Sequence, residues 1–145
     1  MHYDELVVGS VYKTAERTVT KEDILAFAAE YDPQYMHLDE EKAAKSIFGG
    51  LIASGIHTLS ITFRLWADLK ITGDDIVAGQ SLDRVRFLKP VYPGDTLSVV
   101  AELTDKKPNR LNSAQGFFKL RLTTYNQRSE RVLSTDLTGL VRKLT

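Results

Sequence analysis

The residues after Ser54-Gly55 constrain the fold most. Ile56, Leu59, Ile61, Phe63, Leu65, Trp66, Ala67 and Leu69 follow one another too densely for a single helical stripe and surround most of a helix. A helix that is apolar nearly all round is buried nearly all round, so other segments have to wrap it. The second half of the chain supplies them. Leu97, Val99, Ala101 and Leu103 alternate with Ser98, Val100 and Glu102, and Phe118, Leu120 and Leu122 alternate with Lys119, Arg121 and Thr123. Val85 and Phe87 alternate with Arg84 and Arg86, and Leu133, Leu137 and Val141 keep the same period. This is strand periodicity with one face buried. Turn residues divide the runs at Pro90, Pro93-Gly94-Asp95, Lys107-Pro108-Asn109 and Asn126 to Glu130. The last connection is short enough for a hairpin, which makes the strands antiparallel. Helices followed by consecutive antiparallel strands read as α+β. The simplest architecture is one antiparallel β-sheet wrapped around a central apolar α-helix.

Ahead of this core, Leu6–Tyr12 reads as a short strand or extended arm. Thr20 with Lys21, Glu22 and Asp23 is close to a capping box, and Ile24, Leu25, Phe27, Ala28 and Tyr31 follow at helical spacing. Pro33 ends that helix because proline disfavours helical geometry at the residue before it, Asp32. Asp39 is placed to cap a second short helix through Lys45. With 145 residues and no linker or repeat, a single domain over 1–145 is expected.

Nineteen Lys and Arg balance nineteen Asp and Glu, which excludes the bulk electrostatic footprint of a nucleic-acid binder. The lack of cysteine removes disulfides, thiolate metal sites and a Cys nucleophile. The start is mixed and acidic, and no apolar run reaches the roughly 18 residues of a membrane span. The expectation is a soluble cytoplasmic protein with neither nucleic-acid nor membrane partners.

Three histidines limit the catalytic candidates. His2 sits at an unanchored end. His57 falls in the first turn of the wrapped helix, where a packed, hydrogen-bonded core histidine is expected. His37 follows Asp32 by five residues in Asp32-Pro33-Gln34-Tyr35-Met36-His37. A turn there could join carboxylate and imidazole as an acid–base couple; equally, Asp32 could end the helix while His37 packs against a neighbour. Phe48-Gly49-Gly50-Leu51-Ile52-Ala53-Ser54-Gly55 leads into the wrapped helix. It reads both as a tight turn capped by Ser54 and as a backbone amide at a positive helix end, able to stabilise an oxyanion. The sequence holds no Walker A loop, dinucleotide fingerprint, His-x-x-x-His pair or Gly-x-Ser-x-Gly elbow. Asp74/Asp75 and Glu40/Glu41 read as surface charge.

Together, Ala29–Asp39, Phe48–Gly55, Gly79-Gln80-Ser81 and Arg86–Leu97 resemble the MaoC-like dehydratases, which include the (R)-specific enoyl-CoA hydratases of the hot-dog fold. The resemblance implies the hot-dog form of the α+β architecture and an enoyl-CoA hydratase or 3-hydroxyacyl dehydratase. Asp32 and His37 match the family's catalytic pair, and Gly55 its oxyanion-hole glycine. Gln34 stands where the family signature has Asn, and Pro33 directly follows Asp32. The resemblance further implies an acyl-CoA thioester substrate, with coenzyme A as part of it and no separate cofactor or metal, and a homodimer or higher homo-oligomer. Phe63 and Trp66 are candidates for core or acyl-tunnel wall; Lys89, Arg84 and Arg86 for contacts to the coenzyme A phosphates. The alternatives are a hot-dog thioesterase, whose central-helix acid would have to be Asp68, and a catalytically inert acyl-CoA-binding protein.

Overall fold

The alternating runs build the sheet. In the computed structural model, which describes residues 1–144, the strands are β1 (Val11–Lys13), β2 (Arg17–Thr18), β3 (Ile76–Phe87), β4 (Thr96–Pro108), β5 (Gln115–Tyr125) and β6 (Arg131–Arg142). The helices are α1 (Lys21–Tyr31), α2 (Tyr35–Leu38), α3 (Glu40–Ala44) and α4 (Gly55–Asp68). The sheet order is β1-β4-β5-β6-β3, with β2 also on β4, and every pairing is antiparallel. One helix, α4, lies in the curl of the sheet, so the α+β architecture read from the periodicity is the observed one, in the hot-dog form that the resemblance implies.

Burial follows the alternation closely in the middle strands. Leu97, Val99, Ala101 and Leu103 of β4 and Phe118, Leu120 and Leu122 of β5 are all buried. Phe118 lies opposite Gly139 of β6, and its ring occupies the space a side chain at 139 would need: a Cβ there would stand 2.6 Å from it. At the start of β6 a register shift sets Tyr125 against Arg131 and Thr124 against Leu133. Val132 is the extra residue, and it is buried together with Leu133.

Three details differ from the sequence reading. Leu6–Tyr12 is not one strand: a 3₁₀ turn at Tyr3–Glu5 precedes a buried Leu6, and pairing starts at Val11. The amino terminus is also held, its ammonium donating to the Ile71 carbonyl at 2.8 Å. Second, α4 is not buried all round. His57, Thr58, Ile61, Thr62, Leu65 and Trp66 are buried, whereas Ile56, Ser60 and Arg64 face outward, because the curled sheet closes on one side only. Third, β3 starts at Ile76 and carries a bulge. Asp83 opposes Asp136 and Arg86 opposes Ser134, so that Arg84 and Val85 stand against Thr135 alone, two residues against one, with Arg84 at φ 52°. The bulge restores the alternation so that Phe87 shares the inner face with the buried Leu133.

Candidate active site

The site begins with the end of α1. Thr20 caps the helix, accepting from the Asp23 amide at 3.1 Å, and the chain leaves helical geometry at Asp32 (φ −150°, ψ 72°), as Pro33 requires. A single helical turn, α2, follows. It was not visible in the sequence, and it carries His37 back over Asp32. His37 Nε2 lies 3.4 Å from Asp32 Oδ2, so the bend does join carboxylate and imidazole.

Both groups are oriented from elsewhere in the chain. The Ile52 carbonyl lies 2.8 Å from His37 Nδ1. A carbonyl only accepts, so Nδ1 carries the proton and Nε2 is the nitrogen turned toward Asp32. The Ile52 segment is in turn tied to α2, its amide donating to the Met36 carbonyl at 3.0 Å. The Asp32 carboxylate receives the Ser54 hydroxyl on Oδ2 and the Gln34 amide on Oδ1, each at 2.6 Å. These two hydrogen bonds, Ser54 first, hold the Asp32 carboxyl below the usual carboxylate range, helped slightly by His37 and opposed by desolvation. Asp32 is therefore ionised at neutral pH.

The position of Ser54 before the wrapped helix implies only a cap. It does cap α4, accepting from the Ile56 amide at 3.3 Å, and the same oxygen donates to Asp32. Gln34, in the position where the family resemblance expects Asn, is the second clamp. Replacing Ser54 by Ala removes the stronger of these stabilisers of the charged form, so the Asp32 pKa rises. The acid limb of a pH–rate profile is expected to move to higher pH in that variant, while a Ser54→Thr protein restores it.

Gly55 opens α4, and its N–H has no hydrogen-bond partner among the described residues. A cleft of about 610 Å³ collects these groups: Asp32, Gln34, His37 and Gly55 line it, with apolar walls from Phe48, Ile52, Phe87 and Val132. Phe87, on the inner face because of the β3 bulge, stands over Gly55 so closely that a Cβ at 55 would lie 2.7 Å from its ring.

The MaoC-like domain model matches residues 5–126. The chain belongs to the MaoC-like family. It is 47% identical over 143 residues to YdeM of Bacillus subtilis, covering 99% of this chain and 100% of that protein. It is 35% identical over 88 residues to the 3-hydroxyacyl-thioester dehydratase Z of Mycobacterium tuberculosis, covering 59% of this chain and 58% of that one. An Archaeoglobus structure described as a monoamine oxidase regulatory protein superposes with a TM-score of 0.93 at 32% identity, covering 100% of this chain and 96% of that one.

The other candidates in this MaoC-like chain separate clearly. Lys89 lines the cleft and pairs with Glu130 at 2.5 Å, whose carboxyl is pushed down to about 2 by Lys89, Asn126 and Arg128. Arg84 and Arg86 line a different depression, on the outer sheet face with Arg121 and Arg131, away from the cleft. Phe63 and Trp66 meet edge to face at 5.3 Å and do not line the cleft. Asp68 is exposed and paired with Arg64 at 3.0 Å, outside the cleft.

His57 is buried, as expected, and stacked on Phe27 at 4.6 Å. The expected hydrogen bond is absent at Nδ1, which has no partner. A neutral ring with its proton on Nε2 leaves only an acceptor unpaired there. Burial lowers the His57 pKa, with Arg17 adding to the effect and Asp23 opposing it. The unfolded chain then binds the proton more readily, so stability falls as the pH drops below the unfolded value of about 6.5. Urea unfolding at a series of pH values should show that fall flattened in a His57→Gln protein.

Proposed function

We propose that this protein catalyses the reversible hydration of a trans-2-enoyl thioester to the 3-hydroxyacyl thioester, with coenzyme A as part of the substrate and no separate cofactor. The observation that carries this reading is the convergence of Asp32, His37 and the unpaired Gly55 amide on one apolar cleft. Ionised Asp32 presents one acceptor, and in this reading His37, its Nδ1–H held by the Ile52 carbonyl, offers Nε2 as the second. A water between them donates one hydrogen to each and keeps its lone pairs for the substrate. Its oxygen bonds to C3 as the C2–C3 π pair shifts toward the thioester carbonyl. One member of the pair takes the water proton, and the pair returns a proton to C2. The enolate oxygen that forms in between is placed against the Gly55 N–H at the positive end of α4.

Membership of the MaoC-like family and the likeness to a 3-hydroxyacyl-thioester dehydratase support the reaction class. Lys89 at the cleft rim is the cation we assign to the phosphates of coenzyme A, since Arg84 and Arg86 lie on the other sheet face. The β3 edge, with Val77, Leu82 and Phe87 exposed, supports the expected homodimer, because an unpaired apolar edge strand favours pairing with a second copy. No helix among the described residues is long and apolar enough to cross a membrane.

Loss of enoyl absorbance on adding crotonyl-CoA, with formation of 3-hydroxybutyryl-CoA, tests the reading. Thiol release without hydration would instead reveal a thioesterase, and binding without turnover an inert acyl-CoA-binding protein.

A further inference from the structure

The outer face of the sheet carries a second concave polar surface. Its floor is a row of paired residues across three strands, with Ser134 of β6 between Arg86 of β3 and Thr123 of β5. The row faces away from α4, because Leu122 and Leu133, next to it in the chain, are buried on the inner face. Arg84, Arg121 and Arg131 surround the row, and together these side chains line a depression of about 310 Å³. Arginine alone supplies the cations: four of the chain's nine arginines line it and none of its ten lysines. The excess of positive charge is local, since the chain as a whole has a formal net charge of zero.

Four guanidiniums share one carboxylate there. Asp136, 7% exposed, is held by Arg121 Nε at 3.1 Å. Elsewhere Arg64, Arg128 and Arg142 each pair with a carboxylate, but Arg84, Arg86 and Arg131 have no such partner among the described residues. Arg84 also stands at φ 52°, a backbone that glycine adopts freely and arginine only under strain. Like charges on adjoining strands repel, so the arrangement is most stable with an anion between them.

A guanidinium presents its N–H groups as a planar fork that meets two oxygens of one phosphate. Forks arriving from three strands suit an anion that spreads its charge over more than one phosphorus centre. We propose that this outer-face depression binds a diphosphate-bearing anion, held by Arg84, Arg86 and Arg131 above the Ser134 and Thr123 hydroxyls, at a site separate from the substrate cleft. The cleft and the depression share no residue, so both can be filled at once. The proposal stands on the sheet's outer face alone and not on the hydratase reading.

Calorimetric titration of the native protein with inorganic pyrophosphate, in magnesium-free buffer at low salt, tests it. The expected result is one saturable site that binds orthophosphate about tenfold or more weakly. Arg86→Ala/Arg131→Ala should weaken pyrophosphate binding about tenfold or more, and Arg86→Lys/Arg131→Lys should fall in between, since lysine keeps the charge and loses the fork. Both arginines are exposed and unpaired, so the fold should survive. Tighter binding of ADP than of pyrophosphate would identify a nucleotide as the source of the diphosphate, and the reverse a free diphosphate. Saturation with butyryl-CoA should leave the pyrophosphate affinity unchanged. Absence of pyrophosphate binding, equal affinity for orthophosphate, or unchanged affinity in the alanine variant overturns the proposal. Displacement of pyrophosphate by butyryl-CoA also overturns it, since the arginines would then serve the diphosphate of the substrate itself. If the double variant fails to fold, the native titrations still decide. Pyrophosphate binding with no hydration of any enoyl ester would sink the hydratase reading and leave this site standing.

Discussion

Asp32→Asn is expected to reduce hydration of crotonyl-CoA by 10²- to 10⁴-fold, the range that a positioned acid–base group contributes. The substitution keeps the size of the side chain and removes its charge. One of its two polar atoms becomes a donor, so only one of the Ser54 hydroxyl and the Gln34 amide keeps its acceptor; the hydroxyl can rotate to accept. The fold should survive, since Asp32 ends α1 through its backbone, its amide donating to the Ala28 carbonyl at 2.9 Å. What disappears is an acceptor for the attacking water. His37→Ala should fall in the same range, because it removes the other acceptor and empties the seat made by the Ile52 carbonyl. The two losses should not add: a pair that acts on one water fails when either member is missing. Near-native turnover in either variant, with circular dichroism unchanged, would remove the pair from the reaction.

The largest expected effect on stability comes from Phe118→Ala. The ring is 2% exposed and fills the space over Gly139 on the neighbouring strand, so truncation leaves a cavity that the glycine cannot fill. Large-to-small changes of this kind cost about 3–5 kcal/mol. In a protein of this length that corresponds to a fall in Tm of roughly 10 °C. Urea denaturation should show a lower midpoint with an unchanged slope. Phe118 does not line the cleft, so turnover measured well below the transition should stay near native. A stability loss under about 1 kcal/mol would mean that the sheet relaxes into the gap.

Local chemistry was legible where it depends on neighbours in the chain. Thr20, Asp39 and Ser54 each accept the backbone hydrogen bond their cap positions implied, because a cap is decided within a few residues. The alternation of Leu97–Leu103 and Phe118–Leu122 gave the buried face of β4 and β5, since side chains on a strand switch sides at every residue. The pattern failed where a bulge intervened. Nothing in Asp83-Arg84-Val85-Arg86 announces the left-handed Arg84 that sends Phe87 over Gly55 and Arg86 to the outer face.

The sequence by itself determined the wrapped helix, the strand faces and a carboxylate and an imidazole on either side of a proline bend. Tertiary structure alone decided that the bend contains a helical turn, that Ser54 reaches across 22 positions to hold Asp32, and that Thr62 meets Thr124 across 62. Caps, alternation and proline stops act over a few residues and leave their mark in composition. Contacts between distant residues are fixed by how the sheet curls and how α4 seats in it, and a hydroxyl buried against a hydroxyl reads, along the chain, like any other threonine.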